Sequence, residues 1–474
     1  MKINYDVIYK ILDNVAFFGD VHNIRILYAE YQMPSGEWRF SNVDGEDFRA
    51  FLRVSYAENT GEDEQLNEQQ VIQRLHDRAR IYGVEQKVEI HHRVAGNLYD
   101  GVEYYLADDE QRVVRIDKQG FRLANESKFK FISRAGTLPQ VLPVKGETDI
   151  FTLLKPFVNI TGAAFKLFVV WLIQAFSGGA HNAVFLSAER GSGKSVLTHA
   201  INRLLDPSPG EACSMPRNLD DLETLLHNQY LVCLDNIDTS FSKEYSDTFC
   251  ISVTGGAVAR RKKFYDTDMV YLQIKNILLF NGIGIAPSEE DLQERSLFFS
   301  MKKLDPTEIM PERELWADFE AKRPQILWCV FDTLSRAAKI IRSITPAKKA
   351  RLADAYIEML AVADVLGISQ DEFDSLLADS TRAMHEINLE EPVAKAVKEY
   401  MDQADSRKLY GPSSEVYEKI KENYSGSKGP LPITAAAFGK KLNTLDIPLK
   451  KLGYRTLIDD TGARFNTITI IKSK

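Results

Sequence analysis

Apolar and polar positions change period several times along the chain, and the changes mark out its elements. From Ile24 to Tyr31 and from Val102 to Leu106 apolar residues alternate with polar ones, which predicts strands with one buried face. Val113 to Gly120 reads as another strand running into a turn. Asn67 to Tyr82 carries Val71, Leu75 and Ala79 at helical spacing, the stripe of an amphipathic helix. Residues 1–135 are therefore expected to form an α+β domain, with no visible chemistry. A stretch from Gly136 to Gly146 containing Pro139 and Pro143 follows and reads as a linker. The pattern then shifts to short unbroken apolar runs at Ala183–Ser187, Tyr230–Leu234 and Ile277–Phe280, as in strands buried on both faces. Phe165 to Phe176 is apolar apart from Lys166 and Gln174; it falls short of the ~20 residues that span a bilayer, so a buried helix is expected. These runs place an α/β core at 147–310. Helical stripes at Leu315–Ile344 and Ala353–Leu366 place a helical subdomain at 311–403. A loop, Asp405 to Ser413, leads into a last unit at 412–474. There a helix, Val416–Tyr424, precedes a second, Ala435–Thr444, with Thr434 as its cap. Two strands, Tyr454–Ile458 and Arg464–Ile471, complete the outline of a winged helix.

The first buried strand runs into Ala188, Glu189, Arg190, Gly191, Ser192, Gly193, Lys194 and Ser195, and a helix follows from Val196 to Leu205. Gly191 and Gly193 let the backbone curl so that successive N–H groups converge on phosphate oxygens at a helix N-terminus. Lys194 is placed to reach the β/γ-phosphates and the Ser195 hydroxyl to ligate Mg2+. The expected cofactors are thus ATP and magnesium, held by residues 189 to 196 from Glu189 and Arg190 through Val196. Ala188 stands where the pattern usually has its first glycine.

Later spacing narrows the choice among nucleotide-binding classes. The second buried strand ends in Asp235, placed to hold the magnesium through water, and Asn236 and Asp238 follow. The third ends in Asn281, a side chain suited to orient a water against the γ-phosphate. Between them, Arg260, Arg261, Lys262 and Lys263 adjoin Phe264 and Tyr265, flanked by two alternating runs. A β-hairpin that grips single-stranded DNA through cations and aromatics fits this segment, and a solvated basic turn is the alternative. Arg295 precedes a further apolar run. In ring ATPases an arginine so placed reaches the neighbouring subunit's γ-phosphate, a contact worth ~10³–10⁵ in rate.

Together these pieces resemble superfamily 3 and related AAA+ helicases, and more closely the ATPase-helicases of bacterial prophages and mobile elements. The matching segments are Leu186–Ser195, Leu234–Asn236, Thr254–Gly256, Phe280–Ile283 and Leu292–Arg295. The resemblance implies a P-loop AAA+ core with a doubly wound parallel sheet, a homo-oligomeric ring, expected to be a hexamer, and hairpins lining its channel. Most such ATPases follow the strand-end Asp with a catalytic Glu. Here Asn236 occupies that place, which leaves Asp238 or Glu189 as the base.

Composition sets limits on this picture. The chain of 474 residues carries net charge −8, so it is no general polyanion binder, and DNA contact must come from local basic patches. The C-terminal unit is one of them: from Ser414 it has 11 Lys/Arg against 6 Asp/Glu. Lys440 and Lys441 on its second helix and Arg464 on the wing are the candidate contacts to duplex DNA, although many winged helices bind protein instead. Cys213, Cys233, Cys250 and Cys329 lie far apart, as free thiols of a reducing compartment do. With no signal-peptide character at Met1–Asp6, a cytoplasmic protein with no membrane contact is expected. The leading expectation is an ATP-driven DNA helicase that replicates a mobile element, alone or with host or element-encoded replication proteins. The alternative is an AAA+ initiator, loader or nucleotide-switched assembly factor. A small-molecule phosphotransferase fits less well, since it needs neither hairpin nor Arg295.

Overall fold

The computed structural model describes residues 3–472 except 24, 25, 62–65, 135, 190, 238–240, 262–268, 288, 391, 405, 427–430, 446–448, 451 and 460–465. Four parallel strands organise the middle of the chain, in the spatial order Leu231–Ile237, Ile277–Gly282, Ala183–Ala188, Ser296–Met301. Successive side chains point to opposite faces. Val184 and Leu186 therefore enter one core with Leu279 and Phe299, whereas Ala183 and Phe185 enter another with Val232, Leu278 and Phe280. Burial on both faces is why each strand reads as an unbroken apolar run. Parallel strands need crossovers, and the connection from Ala183–Ala188 to Leu231–Ile237 contains the helices Lys194–Leu205 and Leu219–Asn228. Both sheet edges are covered. Cys213 forms a parallel bridge to Leu234 on one side. On the other, the Ser380 hydroxyl accepts from Phe298 N at 2.8 Å and donates to Phe298 O at 3.0 Å, closing an edge that could otherwise pair with another chain. The architecture is mixed α/β around a parallel sheet.

The expected unit 1–135 divides between two cores. Its first part is a four-stranded sheet, Trp38–Asn42, Leu27–Gln32, Ala16–Asp20 and Gln86–Val88 in spatial order, backed by the helices Tyr5–Leu12, Glu46–Thr60 and Glu68–Tyr82. Tyr31, Phe48 and Phe51 close that core. The second part, an antiparallel meander over Val94–Asn97, Gly101–Tyr105, Val113–Asp117 and Gly120–Ala124, sends Val102, Tyr104, Val114 and Ile116 into the core of the parallel sheet. Tyr104 packs against Phe176 and Phe331 there, each at 5.4 Å between ring centroids. Arg93 fixes the junction: its buried guanidinium meets Asp206 at 2.9 Å and the carbonyls of Tyr105, Leu138 and Pro207. The expected linker is packed as well, with Gln140 donating to Tyr104, Arg203 and Leu204.

The helical region is likewise no separate subdomain. Glu312–Ile340, a helix with Pro324 inside it, and Ala353–Val365 bury Phe319, Phe331, Tyr356 and Leu360 in the core of the sheet. Gln370–Glu390 covers the sheet edge, while Pro392–Gln403 joins the C-terminal core through Val393 and Val397. The segment expected as a loop before that unit contains a strand, Lys408–Pro412, in a three-stranded antiparallel sheet with Thr467–Lys472 in the middle and Tyr454–Asp459 outside. Between the first strand and the hairpin lie the helices Ser413–Asn423 and Ala435–Thr444, and Thr434 Oγ1 caps the latter by accepting from Ala437 N at 3.2 Å. Among the described residues no helix is long and apolar enough to cross a membrane.

Candidate nucleotide site and strand interface

Two candidate residues gather at the C-terminal edge of the parallel sheet because of its register. Phe280 pairs with both Phe185 and Leu234, so Asn281 lies on the strand beside the one that enters the glycine loop and Asp235 on the strand after that, at the same level. Gly191 and Gly193 have φ of 78° and 79°, in the left-handed region where a side chain is strained. Gly193 immediately precedes the helix Lys194–Leu205, whose first amides lack carbonyl partners one turn back. Ser192 is buried and its hydroxyl donates to Glu189 O at 2.8 Å, which holds the turn closed. Lys194 Nζ lies back over the loop, 3.0 Å from Ala188 O. Glu189 and Ser195 are exposed and Val196 is half-buried, while Arg190 lies outside the described residues.

Asp235 is half-buried, and its Oδ1 accepts from Asn236 N at 2.7 Å. The strand is bulged here: the register shifts between Leu234 and Ile237, and Asn236 takes φ 55°. Asn tolerates this conformation better than the Glu expected from the resemblance, because its short side chain bonds locally. Gly282 completes the bulge, since a Cβ there would run into the Ile237 carbonyl oxygen. Asn281 is fully buried. Its Nδ2 donates to Thr198 Oγ1 at 3.2 Å, one turn into the loop helix, and its Oδ1 has no partner among the described residues. Asp238, the first candidate base, lies outside the described residues.

Sequence reading missed the strap that follows the edge strand. Leu304 N donates to Gly191 O at 3.2 Å, and Asn159 Nδ2 bridges Ser192 O at 2.9 Å and Lys302 O at 2.7 Å. Lys302 and Lys303 are both exposed here, next to the loop. Their partners are distant in sequence, so no local motif announces them.

Arg295 precedes the edge strand Ser296–Met301, as expected. It sits at the opposite edge of the sheet, next to Ser296, which pairs with Ala183 at the start of the first strand. It is buried, its Nη1 held by the Asp291 carboxylate at 2.5 Å and the Asp291 carbonyl at 2.7 Å, and its Nε lacks a partner among the described residues. That bond is the foremost cause of the depressed Asp291 pKa. The half-exposed cation on the same carboxylate is Arg351, at 3.0 Å.

The predicted hairpin forms, with Gly256–Arg261 and Met269–Ile274 antiparallel from Gly256↔Ile274 to Arg261↔Met269. Lys262, Lys263 and Phe264 lie outside the described residues, and only the backbone of Arg261 is described. Arg260, expected to face DNA, instead ties the hairpin to the helix Leu219–Asn228. It pairs with Glu223 and donates to Thr224 Oγ1 at 3.0 Å and Leu219 O at 3.3 Å. On the C-terminal helix Lys440 is exposed and Lys441 half-buried, with Phe438 and Leu442 turned into the core; Arg464 lies outside the described residues.

Residues 150–373 match the family model of the actinomycete integrative conjugative element replication protein. Two apo structures of the NrS-1 C-terminal region align over 99% of this chain and 98% of theirs, at 12% and 11% identity and TM-scores of 0.40 and 0.41. A JCV helicase structure with a bound thiazolopyridine compound aligns over 50% of this chain and 66% of its own, at 14% identity and TM-score 0.24. No curated protein matches.

Proposed function

We propose that this chain is an ATP-hydrolysing, ring-forming AAA+ motor that moves on single-stranded DNA during replication of a mobile genetic element. The observation that carries this reading is the strand, glycine loop and helix with Asn281 and Asp235 near the ends of the next two strands at the same edge. The match of residues 150–373 to a replication-protein family supports the biological setting.

The residues present suit a nucleoside triphosphate with Mg2+. Left-handed glycines open the loop, a helix N-terminus follows it, and among the described residues the buried Asn281 Oδ1 has no partner. Lys194 and the loop amides would hold the phosphates, and Ser195 and Asp235 the ion. Magnesium, when bound, would neutralise charge building on the transferred phosphoryl group. Asn281 would position the attacking water, with Asp238 or Glu189 as the base. The C-terminal unit, a winged helix by connectivity, would present Lys440 to duplex DNA. A trans-acting arginine must come from a surface that a neighbour can reach; Arg351 meets that requirement and the sealed Arg295 would first have to leave Asp291.

Steady-state ATP hydrolysis across a protein concentration series, with and without single-stranded DNA, tests the reading. A motor with an interface site gives specific turnover that rises with concentration and again with DNA, and Lys194→Ala removes it. Flat, slow turnover indifferent to DNA would instead support a nucleotide-switched assembly factor. Asn236 favours this second reading, since the position directly after Asp235 carries no carboxylate.

A further inference from the structure

A cleft of about 480 Å³ opens at the root of the hairpin, between it, the first N-terminal sheet and the meander. Its lining includes Arg134, Lys275, His91, His227, Tyr271 and Phe129. Arg134 is the informative group. Among the described residues its guanidinium pairs with no carboxylate; Nη2 meets only His227 Nε2 at 3.5 Å, and the buried Nε has no partner. Lys275, exposed at the mouth of the cleft, donates to a carbonyl, Gly178 O, at 2.7 Å. Burial lowers the pKa of Arg134, the response of a cation short of compensation. The acids of the cleft do not fill the gap. Asp20 Oδ1 is occupied by the amides of His22 at 2.7 Å and Asn23 at 2.9 Å, and Glu89 is exposed at the rim. His92 and His227 are held neutral by burial, so they add hydrogen bonds and no charge. A largely buried, uncompensated guanidinium costs stability unless an anion arrives.

We infer that this cleft is a second phosphate-binding site, separate from the glycine loop, and that it takes a phosphodiester of a single nucleic-acid strand. The cleft has room for a nucleotide unit, and Tyr271 offers a 52% exposed ring beside the two cations, the pairing that suits a stacked base and its phosphate. That the phosphate belongs to a strand rests on the function proposed above; the anion site itself does not.

The test uses the full chain carrying Lys194→Ala, so that the glycine loop contributes little to any phosphate signal. An oligo-dT and inorganic pyrophosphate are titrated separately, each against the parent, Arg134→Gln and Arg134→Lys. A strand site predicts that Arg134→Gln weakens oligonucleotide binding about tenfold, the value of one charge-assisted hydrogen bond. It also predicts a salt slope shallower by about 0.7, as for one lost single-strand phosphate contact. Arg134→Lys should retain most of both. Loss of pyrophosphate binding alone would keep the anion site and discard the strand. A separate readout guards against misfolding: relief of an uncompensated charge predicts that Arg134→Met does not lower the urea midpoint. Binding of both ligands unchanged in Arg134→Gln, or a marked fall of that midpoint, would overturn the inference and make Arg134 a structural residue.

Discussion

Glu358 shows what burial does to a single carboxylate. It accepts from Gln174 Nε2 at 2.8 Å and Ser177 Oγ at 2.5 Å, yet desolvation dominates and raises its pKa to about 7 from an ordinary 4.5. Lys275 opposes the rise and Asp354 adds to it. Between those two values the folded chain keeps a proton that the unfolded chain has lost. The stability it contributes is therefore complete below about pH 4.5 and declines as pH climbs through 7, by roughly 3 kcal/mol in all. His181, pushed down to about 3, and the neutral His92 and His227 act in the opposite sense, losing stability as pH falls below the ordinary imidazole range. Only the difference between variant and parent isolates the carboxylate. Glu358→Gln keeps an acceptor for both donors and should flatten the descent of the urea midpoint between about pH 5 and 7; an unchanged descent would place its origin elsewhere. Nothing local in the sequence marks this residue, because its partner Gln174 lies 184 positions away. Lys194 was legible for the converse reason: loop, cation and helix start are written contiguously.

Among elements, the hairpin and the C-terminal sheet show where pattern reading works and where it stops. Alternation on both sides of a polar turn disclosed Gly256–Arg261 and Met269–Ile274, since antiparallel neighbours in sequence need only a short connection. What the four cations face could not be read, because that depends on the helix packed alongside. Arg260 is spent on Glu223 and the carbonyls of that helix, whereas Lys262 and Lys263 remain the candidates for a strand. The two roles separate by measurement. Lys262→Ala with Lys263→Ala should abolish stimulation of ATP hydrolysis by single-stranded DNA while leaving basal turnover within about twofold, since neither belongs to the glycine loop. Arg260→Ala should lower folding stability by about 1–2 kcal/mol through lost charged hydrogen bonds. The same stability loss in the double lysine variant would make the whole turn structural. Lys408–Pro412 escaped notice because Gly411 and Pro412 are turn residues by composition. They fit a strand here only because Lys408–Pro412 lies at the sheet's edge, where the missing proline N–H is tolerated.

At the scale of the whole molecule, the boundaries drawn from composition fail where a core is assembled from distant segments. Residues 147–310 hold every strand of the parallel sheet, but one of its faces is buried by Phe319, Phe331 and Leu360 from the helices beyond, and by Tyr104 and Val114 from the meander before. Removing those segments would expose large side chains that the sheet cannot cover, at ~1.5–3 kcal/mol for each fully buried one. The C-terminal core is different. Val397, Tyr417, Phe438 and Ile468 pack among themselves, and the cluster begins with Val393. The first N-terminal core, built on Tyr31, Phe48 and Phe51, is also closed on itself. Dispensability should follow these cores and not the Pro/Gly stretch at 136–146. A fragment spanning 90–390 should be soluble, unfold cooperatively and retain nucleotide binding. A fragment spanning 147–310 should aggregate or bind hydrophobic dye as an open core does. Limited proteolysis of the full chain gives an independent check: the first stable product should be cut near residue 391, between the helix that covers the sheet edge and the helix that opens the C-terminal core. Early cleavage at 136–146 would instead restore the composition boundary, and would mean that the contacts of Gln140 and Arg93 do not hold that segment against the core.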